Sequence, residues 1–239
     1  SSPQRKYWGF QVFQNALKRV TDESMHMLFT KNFMRSWINH LSNKDRYLHK
    51  IALQTATEVQ AFVKDKPQSG FTLILQLTGV NGSRQFDKLT KTKTVESILG
   101  SMTAEGIQNY VQHLFKQFND FDEYVRLPFA LGHGLTSFNQ SSTQGEADSR
   151  RTWIVDQLAA LIRNGGIPKS DESVQTIIEF LTVHGLFVLK KKQSKSKVST
   201  LHKLPTPAIS EEVREVCKNR LLACLGELSG QTVVIKSGE

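Results

Sequence analysis

The chain has little with which to do chemistry. It holds two cysteines in 239 residues, Cys217 and Cys224, a spacing that on a helix separates them by roughly 10 Å of rise. A disulfide needs Cα atoms within about 7 Å, so the pair reads as core thiols of a reducing compartment. Seven histidines, at positions 26, 40, 49, 113, 133, 184 and 202, never form the i, i+4 pair of a zinc helix. No cysteine pair has ligand spacing either, so neither a metal nor a cofactor is expected. His184 falls on an apolar stripe and reads as a core histidine. The run from Gly132 to Ser137 lacks the serine of a nucleophile elbow. No apolar run approaches the length that spans a bilayer, and no signal-peptide pattern opens the chain, so no membrane partner is expected.

Glycine is scarce where a phosphate loop would need it. Residues 81–94, NGSRQFDKLTKTKT, resemble a nucleotide-binding loop at first sight. A Walker-type loop needs a second glycine before its lysine and a hydroxyl after it. Here Asp87 precedes Lys88 and Leu89 follows it. The stretch reads instead as a basic interhelical loop, anchored by Phe86 and Leu89, with its charges outward. Acidic residues are scarce in a second place: none stands between Glu179 and Glu211. Asp120, Asp122 and Glu123 are the one acidic trio that would suit a Mg²⁺-dependent polymerase. They lie in no strand scaffold and read as a solvated turn, so no catalytic residue is assigned.

What is present is basic charge, +9 in total. Residues 1–66 carry 11 basic and 5 acidic side chains (+6), residues 67–179 carry 10 and 12 (−2), and residues 180–239 carry 10 and 5 (+5). An excess at both ends favours a polyanionic partner. Two clusters stand out. Lys190, Lys191, Lys192, Lys195, Lys197 and Lys203 lie in LKKKQSKSKVSTLHK, and Arg84, Lys88, Lys91 and Lys93 lie in the loop just described. Lysine-rich segments hold a sugar-phosphate backbone through counterion release, with little sequence information. A nuclear-import signal and a plain solvated loop are the other readings of the first cluster. The aromatic residues fall on helical stripes rather than among the lysines, which argues against base stacking and for recognition of folded RNA by shape and backbone.

Apolar periodicity is helical almost throughout. The stripes are Phe10, Phe13, Leu17 and Val20; Leu48 to Val63; Ile107 to Phe118; Ile154 to Ile162; Val174 to His184; and Val213 to Leu225. Ser42 with Asp45, Thr103, Ser170 and Ser210 read as caps. FTLILQL, residues 71–77, is too short for periodicity to separate strand from helix, and its helical neighbours favour helix. About nine helices with no confident strand describe an all-α chain of armadillo/HEAT-like stacked helical hairpins, an α-solenoid. A compact irregular helical domain is the alternative, since no fixed-period repeat appears. The expected division is helical repeats over 1–118, a connecting loop over 119–147, further repeats over 148–228 and a loose tail over 229–239.

Four blocks then carry a resemblance: RKYWGFQVFQNAL, FTKNFMRSWINHLSNKDRYLHKIA, GSRQFDKLTKTKTVESIL and FLTVHGLFVLKKK. In these residues and their order, from about Arg5 to Leu228, the chain resembles the DNA polymerase phi/Myb-binding protein family, and its fungal members in particular. The chain opens Ser-Ser-Pro without methionine and is shorter than family members, as expected of an internal portion. The resemblance implies an armadillo-like nucleolar protein of the nucleus that acts in rRNA synthesis, rRNA processing and ribosome assembly. Its implied partners are pre-ribosomal RNA, ribosome-assembly factors and ribosomal proteins, with rDNA chromatin as a further candidate. It implies no enzymatic activity and no catalytic residue to carry over. The rival classes are a nucleic-acid polymerase using the acidic trio and a scaffold that binds transcription regulators.

Overall fold

The computed structural model describes residues 2–120, 140–188 and 204–236, with side chains described from 144 in the second stretch and to 230 in the third. It is all-helical. Among the described residues there are ten α-helices and two 3₁₀ turns, Met25–Met27 and Pro67–Ser69, and the sole β-type pairing is an isolated bridge between Asp120 and Thr206. No described helix is long and apolar enough to cross a membrane. The helices are α1 (Pro3–Leu17), α2 (Lys31–Leu41), α3 (His49–Asp65), α4 (Gly70–Thr78), α5 (Phe86–Thr90), α6 (Thr94–Ser101), α7 (Ala104–Asn119), α8 (Gln140–Arg163), α9 (Asp171–Leu186) and α10 (Glu211–Lys236). Residues 71–77 are thus helical.

The chain divides into two compact units. The first comprises residues 1–109 and 166–169, and the second comprises 110–165 and 170–239. The first is built on an aromatic cluster. Phe13 and Phe33 stack at 4.2 Å, Phe29 meets Phe13 edge-on at 5.2 Å, and Trp37 lies 5.3 Å from Phe86. Trp37 is fully buried, and its indole Nε1 donates to the Ala52 carbonyl at 2.9 Å, so its one polar atom is satisfied. The α3 stripe from Leu48 to Val63 is buried as its period requires.

The second unit centres on Phe115, Phe118, Phe180 and His184, whose rings lie 4.2 to 5.0 Å apart. His184 is 1% exposed within that cluster. Helices α9 and α10 approach closely at Gly185, where a Cβ would stand 2.9 Å from the Lys218 backbone nitrogen. Cys217 and Cys224 are buried free thiols on α10, and burial pushes Cys217 up to about 12.

Several expected boundaries move, each for a local reason. Ser42 closes α2 instead of opening α3: its hydroxyl donates to the Asn39 carbonyl. Asn43 then accepts from the Asp45 backbone N–H in an Asx turn, and α3 starts only at His49. Val20 lies beyond the end of α1. Helix α8 begins at Gln140, so residues 140–147 are helical rather than loop. Its inward face carries Ala147, Arg150 and Arg151 in phase with Ile154 and Leu158, all buried, and two arginines in core positions hide the apolar period. The tail is helical through Lys236.

Candidate nucleic-acid interface

The basic loop of residues 79–93 is held at fixed points. Gly82 turns the chain back so tightly that a Cβ there would collide with the Leu77 carbonyl oxygen, and the next amide, of Ser83, donates to that same oxygen at 2.8 Å. The glycine therefore serves a close backbone approach to the end of α4. Asn81 donates from its side chain to the Phe29 carbonyl at 3.0 Å, and Phe86, 1% exposed, enters the aromatic cluster beside Trp37. Leu89, expected as a second anchor, is 45% exposed and does not serve as one. Helix α5 spans five residues, and its one inward face is taken by Phe86 and Thr90.

Asp87 supplies from within the chain the negative group that an external anion would bring. Its carboxylate accepts from the backbone N–H groups of Val95 and Glu96, both at 3.1 Å, and from the Thr92 hydroxyl at 3.4 Å. These amides open α6, whose cap position is occupied by Lys93, a residue with no acceptor in its side chain. The preceding helix thus provides the charge that the start of α6 favours. Burial raises the Asp87 carboxyl above its usual range, while the amide and hydroxyl donors pull against that shift. A chain of hydroxyls, Thr90 to Thr92 at 2.8 Å and Thr92 to Thr94 at 3.0 Å, ties the two helices together. Lys91 between them takes the left-handed conformation (φ 56°) that ends α5.

The basic side chains sit on this frame. Lys88, Lys91 and Lys93 are exposed and Arg84 is half-buried. Lys93 lies 3.7 Å from Glu96 in a solvated pair of little strength. Arg84, Lys88 and Lys91 make no ion pair among the described residues. The structure therefore brings together the four residues Arg84, Lys88, Lys91 and Lys93 on one loop.

Lys190, Lys191, Lys192, Lys195, Lys197 and Lys203 lie outside the described residues, but both flanks of their segment are fixed. On one side Arg214 donates to the Phe187 carbonyl at 2.6 Å. On the other, Arg151, 1% exposed, donates to the carbonyls of Phe118, Pro207 and Ala208. Asp120 stands at the end of α7, where its backbone bridges Thr206, while Asp122 and Glu123 are outside the described residues. Among the described residues no group of three or more metal-ligating side chains converges.

Set beside known proteins, the chain matches the family model for DNA polymerase phi over residues 1–239. The rDNA transcriptional regulator pol5 of Schizosaccharomyces pombe is 28% identical over 229 residues, 96% of this chain and 21% of that protein. The rDNA transcriptional regulator POL5 of Saccharomyces cerevisiae is 33% identical over 101 residues, 41% of this chain and 10% of that protein. The chain thus spans about a fifth or less of the relatives' length. No solved structure matches.

Proposed function

The chain belongs to the DNA polymerase phi family, and from that premise we propose that it is a non-enzymatic, RNA-binding portion of a nuclear rDNA regulator. Its relatives' names place them in rDNA transcription. In this reading the helices stack as an armadillo-like array. The array presents basic loops to pre-ribosomal RNA in the nucleolus, and its other surfaces meet ribosome-assembly factors. The observation that carries the reading is the loop of residues 84–93: Arg84, Lys88 and Lys91, without acidic partners among the described residues, and Lys93, in a solvated pair with Glu96, on a frame fixed by Phe86 and Asp87. Fixed cations lose less freedom on binding than free ones, and they hold phosphates without reading bases. The lysine segment 190–203 adds charge of the same sign.

Two measurements test this. Crosslinking to RNA in cells, read at nucleotide resolution, should return pre-ribosomal RNA. Changing Arg84, Lys88, Lys91 and Lys93 to Glu should reduce the slope of log K against log salt by about 3, at roughly 0.7 to 0.9 for each phosphate no longer neutralised. Binding with no salt dependence would overturn the reading. A polymerase would instead lose nucleotide incorporation when Asp120, Asp122 and Glu123 become Ala.

One observation favours a protein partner alongside RNA. Trp8 and Val12, one helical turn apart on α1, are 62% and 67% exposed, an arrangement suited to a docking helix.

A further inference from the structure

Helices α1 and α2 flank an open groove of about 730 Å³ in the first unit. We propose that this groove is a second nucleic-acid site, taking the phosphodiester backbone of a single strand against Lys6, Arg35 and the polar stripe of α2. The inference rests on the nucleic-acid reading above.

Its charge is of one sign. Lys6 from α1 and Arg35 from α2 line it, no acidic residue does, and neither cation has an ion pair among the described residues. No acidic residue stands in the first turn of either helix. On α2, Asn32, Arg35, Ser36 and Asn39 follow the i, i+3, i+4, i+7 spacing of one helical face. That stripe runs for roughly 10 Å at 1.5 Å per residue, enough to reach about two neighbouring phosphates of a strand. The amides and the hydroxyl can donate to phosphate oxygens and also accept from a ribose 2′-hydroxyl.

The floor argues against an acidic peptide. Protein partners take most of their affinity from apolar anchors that fill pockets. Phe10 and Phe33 are the aromatic residues here, and both are engaged. Phe33 is stacked on Phe13, its edge meets Phe10 at 5.7 Å, and Phe10 is 2% exposed. Both rings are held in the core packing, so neither is free to anchor a partner's side chain, and the groove adds charge and hydrogen bonds around them.

A second observation lies behind the groove. His40 is 8% exposed, and neither ring nitrogen has a hydrogen-bond partner. Its ring centre stands 6.3 Å from that of Phe10. The charged groups that act on it are Lys6 from α1 and Arg46 from the turn before α3, while His49 of α3 bonds its backbone carbonyl. Burial first, then the two cations, lowers its affinity for a proton. An anion bound between Lys6 and Arg35 would relieve that field, which makes the imidazole a reporter of occupancy.

Gly9 supplies a variant that spares the fold. It lines the groove in the middle of α1, and an added Cβ would touch nothing within 4 Å. Gly9→Glu therefore places bulk and negative charge in the groove while improving helix propensity. The test measures anisotropy of labelled oligouridylate, of DNA of the same sequence length and of oligoglutamate on the full chain. Gly9→Glu, and separately Lys6→Glu with Arg35→Glu, should each weaken oligouridylate at least tenfold. The double change should also reduce the salt slope by about 1.4, two phosphates at roughly 0.7 each for a single strand. Gly9→Glu should keep its melting temperature, and oligouridylate should move the His40 titration to higher pH in the unaltered chain only. Tighter RNA than DNA would assign the strand as RNA, and equal binding would assign recognition to phosphate alone. Groove variants that bind as the unaltered chain does, while the Glu variants of residues 84–93 lose binding, would overturn the groove and leave the proposed function standing. Oligoglutamate bound as tightly as oligouridylate would overturn the choice of nucleic acid. No oligonucleotide binding by the unaltered chain would remove both.

Discussion

Asp87→Ala is the substitution that tests how the basic loop is built. The carboxylate holds two backbone amides at 3.1 Å and a hydroxyl at 3.4 Å. Removing a capping side chain costs roughly 0.5 to 2 kcal/mol, and hydrogen bonds to charged groups are worth about 1.5 to 3 kcal/mol each. Against this stands the cost of burying the carboxylate, visible in its raised affinity for a proton. The balance lies at the upper end of the capping range, about 2 kcal/mol. At an m-value of about 2 kcal/mol/M, the urea midpoint should fall by about 1 M, followed by far-UV ellipticity. Asp87→Asn, which keeps one acceptor oxygen, should fall between. If Asp87 fills the place of an external anion, its removal exposes amides beside Lys88, Lys91 and Lys93. Sulfate should then enter, and at ten times its dissociation constant return about 1.4 kcal/mol. Sulfate also stabilises proteins generally by exclusion from their surface, so the quantity of interest is the excess over the unaltered chain. A loss below about 0.5 kcal/mol, within the range of ordinary surface substitutions, or an equal sulfate response in both proteins, would refute the assigned role.

Other substitutions probe the rest of the frame. Gly185→Ala should lower the melting temperature although alanine is the better helix former by about 1 kcal/mol. The Lys218 backbone stands 2.9 Å from the new Cβ, and overpacking of this kind costs roughly 1 to 3 kcal/mol. Trp37→Ala should cost about 3 to 5 kcal/mol in chemical denaturation, whereas Trp8→Ala, at a position 62% exposed, should stay within about 0.5 kcal/mol. For the Cys217 thiol, raised to about 12 in the fold, the sign runs against alkaline stability. The unfolded thiol ionises from about pH 8.5, so stability is full below that value. It then falls by about 1.4 kcal/mol per pH unit up to the folded value. Cys217→Ala should flatten that alkaline limb in denaturation curves taken between pH 8 and pH 11.

The sequence was readable where an element's inward face is apolar and opaque where a polar group sits inside. The α3 stripe has aliphatic, aromatic and one threonine position in helical register, and every member is buried. Ser170 and Ser210 precede acidic first turns and accept from the amides of Ser173 and Val213, as their caps imply. Helix α8 begins eight residues before its expected start because its first turns, QSSTQGE over 140–146, carry no apolar stripe, and Arg150 and Arg151 then occupy core positions. A hydropathy pattern scores such residues as loop, while the fold satisfies Arg151 with carbonyls from residues 118, 207 and 208. The same limit hid the role of Asp87. Next to Lys88 it looks like half of a surface charge pair, yet it reaches forward eight and nine residues to cap a helix whose own cap position is a lysine. The sequence carried no signal of this, since Thr92 and Thr94 each offer a hydroxyl that reads as the cap, whereas the structure places Lys93 there. The groove between α1 and α2 left no trace either. Lys6, Gly9, Asn32 and Arg35 come from two separate helices, and the packing of Phe10 and Phe13 against Phe33, Trp37 and His40 sets those helices side by side. Aromatic residues here therefore determine where these cations gather, with Phe10 and Phe33 as the floor between them. Substitution in the Phe13–Phe33 stack should consequently weaken anion binding through position, with the number of neutralised phosphates, and so the salt slope, falling together with affinity.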